Sequence, residues 1–223
     1  QPSASIVNAD WEPWLDRRRG KIEWEHWNRY QSYLENQPGW SPTAIEEIRQ
    51  TTDYILDRLG DPMFDADWGI RGLVFGNVQS GKTANWVGLI NKAVDAGYNF
   101  VVVLTGFTES LRAQGQQRVD EGVTGILKED RPGGGMTPVE VGVSEFGRHL
   151  NLKNCYTTST RDIRANNLLT TLPNHNDKTF LVVKKNVYVL KQILKWIHGV
   201  VAVDVENGLK RVGREFKLLV VDD

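Results

Sequence analysis

A chain of 223 residues with 40% apolar and 25% charged residues can bury a substantial core and has the make-up of an ordinary globular protein. Its formal net charge of -1 excludes a global basic field, so any nucleic-acid contact must come from a local patch. The single cysteine, Cys155, excludes an internal disulfide framework and a four-cysteine zinc site, and it suits a reducing cytoplasm.

Nothing approaches the roughly 18 consecutive apolar residues of a membrane span, and the N-terminus lacks the basic-then-apolar build of a signal peptide. A soluble cytoplasmic protein with no membrane contact is expected. The start at Gln1 and the stop at Asp223, directly after an apolar strand pattern, point to a fragment of a longer protein.

Residues 1–69 are polar and hold Trp11, Trp14, Trp24, Trp27, Trp40 and Trp68. Around 21–35, Ile22, Trp24, Trp27, Tyr30 and Leu34 recur at three- and four-residue steps, which predicts a helix with one apolar stripe. A second helix is expected after Ser41-Pro42, with Ser41 as cap and proline in the first turn. It carries Ile45, Ile48, Ile55 and Leu56 and stops at Gly60-Asp61-Pro62. Aromatic residues can stack on bases, but at helical spacing these read as core. The segment is expected to be a helical cap on the domain that follows, residues 70–223.

From Gly72 the pattern alternates strands with helices, the mark of a parallel sheet covered by helices. A strand at about 71–75 leads into Gly76-Asn77-Val78-Gln79-Ser80-Gly81-Lys82-Thr83 and then an amphipathic helix. That string is GxxxxGK[ST], which arises by chance in about one chain of this length in a hundred. Its glycines let backbone N–H groups face inward and, with the helix N-terminus, receive phosphate. Lys82 would reach the β- and γ-phosphates and Thr83 would place its hydroxyl on Mg²⁺. ATP and Mg²⁺ are therefore the expected cofactors, with Gly76 to Thr83 as the nucleotide-binding residues.

The helix after this loop sets Trp86, Val87, Ile90, Ala93 and Val94 on one face and ends at Gly97. Phe100 to Leu104 is an unbroken apolar run, as in a strand buried on both faces. A turn with Thr108 as a possible cap leads into the next helix. Arg131-Pro132-Gly133-Gly134-Gly135 marks a flexible loop, and a strand near 139–143 is expected. Cys155 to Thr160 reads as a strand end before a short helix running to about Leu172. Asn174-His175-Asn176 lacks the spread of a His-Asn-His nuclease.

Phe180 to Val183 is another buried strand. It is followed by Lys184-Lys185-Asn186, candidates for a phosphate-backbone contact, and by a helix with Leu190, Ile193, Leu194 and Ile197 on one face. Glu206-Asn207-Gly208 signals a turn within a hairpin or excursion. The chain closes with Leu218-Leu219-Val220-Val221-Asp222-Asp223. Acids at the tip of a buried strand, paired with a phosphate loop, are what Mg²⁺ requires, since that cation takes one or two carboxylates along with phosphate oxygens. The metal candidates are Thr83, Asp222 and Asp223, and the catalytic candidates Lys82 and Asp223.

The nearest string to the guanine-reading Asn-Lys-x-Asp is Asn91-Lys92-Ala93-Val94-Asp95, which is one residue too long and lies in a helix, so GTP is not expected. A metabolite kinase and a non-catalytic module that docks a partner through residues 1–69 remain open.

The phosphate-loop string Gly76 to Thr83, the later Val183-Lys184-Lys185-Asn186-Val187 with Leu190, and the closing Val220-Val221-Asp222-Asp223 resemble the Z-one domain family of bacterial proteins, often labelled endonucleases. The Trp40-Ser41 helix start and Thr52-Asp53-x-Ile55-Leu56 are also similar, so the likeness covers most of the chain. It implies the P-loop, RecA-like core of a superfamily 2 helicase-like ATPase, acting on nucleic acid, DNA by expectation. Its partners would be other proteins of a system that defends bacteria against phage or mobile DNA. In that family the closing motif continues as Asp-Asp-Glu-Ala-Asp, and this chain stops before the glutamate that would orient water. If the box begins at Asp223, that residue meets the metal. No cluster of carboxylates with a nearby lysine stands out to support nuclease chemistry.

Overall fold

The computed structural model describes residues 4–6, 12–64, 69–74, 81–130, 135–162, 176–204, 210–212 and 215–223. It begins with strand β1 (Ala4–Ile6) and helices α1 (Leu15–Arg18), α2 (Glu25–Glu35) and α3 (Pro42–Asp57). Helix α3 follows the sequence signals: Ser41 Oγ accepts from Ala44 N at 3.1 Å, proline occupies the first turn, and Ile45, Ile48 and Leu56 are buried. Helix α2 starts later than the stripe suggests, because Ile22 is extended (φ -94°, ψ 126°) after a 3-10 turn over Arg19–Lys21. A distant residue sets its start. The Asp95 carboxylate accepts the N–H groups of His26 and Trp27 at 3.0 and 2.9 Å, and so caps α2 from another helix.

Strand β2 (Gly72–Val74) leads toward α4 (Lys82–Ala96), which turns at Gly97 (φ 120°) into β3 (Phe100–Thr105). Helix α5 (Glu109–Val119) follows, capped by Thr108 Oγ1 accepting from Leu111 N, and ends in a π-helical turn over Asp120–Thr124. Strands β4 (Ile126–Asp130) and β5 (Met136–Glu140) form an antiparallel hairpin, so the strand expected near 139–143 lies earlier and Gly142–Phe146 is a 3-10 turn. Then come β6 (Asn154–Cys155), β7 (Thr179–Lys184), α6 (Val187–Trp196), the antiparallel pair β8 (Ala202–Asp204) and β9 (Lys210–Val212), and β10 (Leu218–Asp222). The turn expected at Glu206-Asn207-Gly208 lies outside the described residues, as does the short helix expected to run to about Leu172.

The fold is α/β, with a four-stranded parallel sheet in the order β10-β3-β7-β6 between helices. One face, built from Val101, Val103, Phe180, Val182 and Leu219, shares a single core with α4 and with Trp27, Tyr30, Ile45, Ile48 and Leu56 of the N-terminal helices. Helix α5 joins this face at Gly115, where an added Cβ would meet Thr105 Cγ2 at 2.5 Å. Phe100, Val102, Leu181 and Val183 on the other face pack against Val189, Ile193 and Trp196 of α6. The stripe of α6 therefore differs from the one expected: Leu194 is exposed, and Trp196 fills the core instead.

Helix α4 is the hub. It is buried at Ala84, at every position from Trp86 to Val94, and at Ala96, because it packs against α2 and α3 and shares one core with the Val101 face of the sheet. One expectation of strand placement is not met: β2 does not enter the parallel sheet. Its residues are exposed, and it pairs antiparallel with β1 in a separate two-stranded ribbon. A three-residue strand that opens with Gly72, just after Arg71, offers too short an apolar run to be buried on both faces.

Candidate functional site

Helices α5 and α6 cover opposite faces of the sheet, and that arrangement locates its topological switch point. The chain moves from β3 through α5 to β7 on one side, then from β7 through α6 back past β3 to β10 on the other. Strand order thus reverses between β3 and β10, and open α/β sheets bind ligands outside the carboxyl ends of the strands at such a switch point. Here those ends are Thr105-Gly106 and Asp222-Asp223, with Lys184-Lys185 one strand away.

The start of α4 faces the same edge. Helix α4 passes through the tight turn at Gly97 directly into β3 and, from Ala84 to Ala96, shares one core with Val101, Val103 and Leu219 of the sheet, so its axis runs against the strands. Its length of about 22 Å matches the roughly 20 Å of β3, which brings its N-terminus toward the carboxyl edge. Gly81 is left-handed (φ 69°) and has no side chain to cap the first turn, whose N–H groups are suited to an anion. Lys82 is exposed at the helix head, and Thr83 is half-buried in its first turn. The Trp40 ring lies beside Gly81, 3.9 Å from where a Cβ would stand. Gly76, Asn77, Val78, Gln79 and Ser80, the rest of the predicted phosphate loop, lie outside the described residues. Trp86 is buried, as expected of a packing residue.

The terminal acids are held by cations that sequence reasoning did not pair with them. Asp222 forms an ion pair with Lys185, and Asp223 Oδ2 accepts from Arg118 Nη1 of α5 at 3.3 Å. The Asp223 backbone N–H donates to Leu104 O at 2.9 Å, which carries the sheet register up to the last residue. Beside them, Glu109 in the first turn of α5 binds Arg112 at 2.5 Å and Lys184 at 2.8 Å, and Lys184 also meets Asp162 at 3.4 Å. Burial pushes the Glu109 carboxyl upward, but hydrogen bonds from Arg112 and Lys184 outweigh it and hold the group below its ordinary value. The hydrogen bond to Glu109 raises Lys184. Arg112 is fully buried, donates to Ser159 O at 2.9 Å, and leaves Nη1 without a partner.

Thr157 to Thr160 serve structure. Thr157 donates to Gln116 Oε1 at 2.7 Å and accepts from Val182 N, while Thr158 caps the turn to Arg161. Lys184 and Lys185 carried a sequence signal, as cations directly after a buried strand. Arg118 carried none, since nothing local links it to a residue 105 positions away.

Among the described residues, no group of three or more His, Cys, Asp or Glu is arranged to hold a metal. Thr83, Asp222 and Asp223 are oxygen donors of the kind Mg²⁺ takes when it is bound together with phosphate, and both carboxylates are paired with protein cations here. Among the described residues, no helix is long and apolar enough to cross a membrane. Fold and edge together define an α/β protein with a four-stranded parallel sheet whose carboxyl ends carry the pairs Lys185–Asp222 and Arg118–Asp223. Comparison with protein-family models, curated proteins and solved structures finds no match.

Proposed function

We propose that this chain is the ATP-binding, RecA-like portion of a helicase-like, nucleic-acid-dependent ATPase of the cytoplasm, working with other proteins of a bacterial defence system. The observation that carries the reading is the reversal of strand order between β3 and β10 at the edge faced by the Gly81–Thr83 helix head. Exposed Phe107 and Tyr188, in the segments that follow β3 and β7, together with Lys184 and Lys185 at the end of β7, support a nucleic-acid partner, since aromatic rings and cations together suit single strands. The resemblance to the Z-one domain family supports the helicase and defence parts of the reading.

In this reading Gly76 to Gly81 wrap the phosphates, Lys82 pairs with the β- and γ-phosphate oxygens, and Thr83 with Asp222 and Asp223 supplies oxygen ligands for Mg²⁺. When bound, the cation neutralises charge on the phosphates. In this reading Asp223, one residue past β10, would act on the side of the terminal phosphate. The test is Lys82→Ala. Lys82 is exposed, so the variant should fold normally and lose ATP binding in titration calorimetry; undiminished affinity would overturn the proposal.

A further inference from the structure

Two adjacent lysines end β7, and they are held differently. Lys184 lies between Glu109 and Asp162 on its own side of the sheet. Lys185 donates its backbone N–H to Thr105 O at 3.0 Å, which anchors it at the end of β3. Its ammonium then pairs with Asp222 at the end of β10. Strands β7 and β10 flank β3, about 10 Å apart across two strand spacings. A side chain that starts after β7 and ends on Asp222 must cross the mouth of β3, where strand order reverses. On the other acid, Arg118 contacts Asp223 from α5.

We infer that Lys185 is a latch across the nucleotide crevice, a protein cation seated on Asp222 that leaves when Mg²⁺ binds. This rests on the reading of Asp222 and Asp223 as metal ligands. Because Asp222 remains more than half exposed and Lys185 about one-third exposed, the pair is screened and weakly held. A divalent ion can therefore displace it at small cost, while the backbone bond at Thr105 keeps Lys185 in place. Released from Asp222, the ammonium stays within the crevice as a free cation for phosphate oxygens. Lys184 does not move with it, because its two carboxylate partners lie outside the metal site.

The experiment titrates MgCl2 into the 223-residue chain by calorimetry, comparing wild type with Lys185→Ala and Lys185→Arg. At low ionic strength Lys185→Ala should bind Mg²⁺ about fivefold more tightly, the worth of an exposed ion pair. Lys185→Arg should stay near wild type, and the gain should fade in about 1 M salt as screening removes the latch. Equal or weaker Mg²⁺ binding by Lys185→Ala overturns the latch. Asp222→Asn and Asp223→Asn, each placed in the Lys185→Ala background, separate the two levels of the idea. If both abolish binding while Lys185→Ala matches wild type, only the latch fails. If neither weakens binding, the metal lies elsewhere and the underlying site assignment fails with it.

Discussion

The two ends of α4 meet charge in opposite ways. Toward its C-terminal half, Lys92 and Asp95 are sunk among α2 and α3, with side chains about 2% exposed. Lys92 bonds Asp53 and Arg49 O and lies 4.2 Å over the Trp27 ring, and Asp95 caps α2 and meets His26 Nδ1 at 2.7 Å. At the carboxyl edge of the sheet, Lys185 with Asp222 and Arg118 with Asp223 are partly exposed, each side chain at least 30% open to water. Buried charges without alternatives fix geometry, because breaking them strands an ion in low dielectric. Exposed ones can exchange partners, which is what a binding edge needs.

The strongest way to break this contrast is to remove the covering helices. Deletion of residues 1–69 takes away α2 and α3, strips Ile90, Ala93 and Lys92 of their cover, and should abolish cooperative unfolding in a denaturant titration. A cooperative transition in the truncated chain would show that the cap is an independent appendage. Next in size, Asp53→Ala leaves Lys92 without its carboxylate in a site where burial already lowers it to about 8, and should cost about 3 kcal/mol. A loss below about 1 kcal/mol would place that ion pair with the surface pairs.

A third test uses pH. Asp120, buried at the end of α5, is pushed up to about 7 by burial, against a hydrogen bond from Gln116 and the charges of Lys128 and Arg112, with Glu121 adding to the rise. A carboxyl raised above its unfolded value of about 4 stabilises fully below that pH, and the contribution is lost as pH climbs through 7. Asp120→Asn keeps an acceptor for Gln116 and removes the titration. Its stability relative to wild type should therefore rise between pH 4 and 7, by on the order of 2 kcal/mol. A flat difference across that window would show that Asp120 is ionised throughout. Smallest of all, Lys185→Ala should change the unfolding free energy by no more than about 1 kcal/mol, the same worth of an exposed pair, which sharpens the contrast with Asp53.

Much of the fold was legible because its periodicities are local. Ser41-Pro42 starts α3, Thr108 caps α5, and the apolar runs at Phe100 and Phe180 become β3 and β7, all as their chemistry requires. The start of α2 was not legible, because its cap is Asp95, about 70 residues away. Nor was the apolar face of α6, where Trp196 and Val189 displaced Leu194 once the Phe100 face of the sheet offered a socket. Of the site, the helix head at Gly81–Thr83 and the acid pair were readable from spacing. Their counter-ions were not, since Lys185 to Asp222 and Arg118 to Asp223 are pairings across the sheet.

The sequence by itself determined which segments alternate as strand and helix, where the phosphate-loop string falls, and that two acids end the last strand, because spacing and residue type act over a few residues. Tertiary structure alone decided that α4 is enclosed from both sides, that β2 stays outside the parallel sheet, and that strand order reverses between β3 and β10. It also seated Lys185 on Asp222. Those outcomes depend on which buried surfaces and charges meet across long stretches of chain, and no local pattern encodes such a meeting.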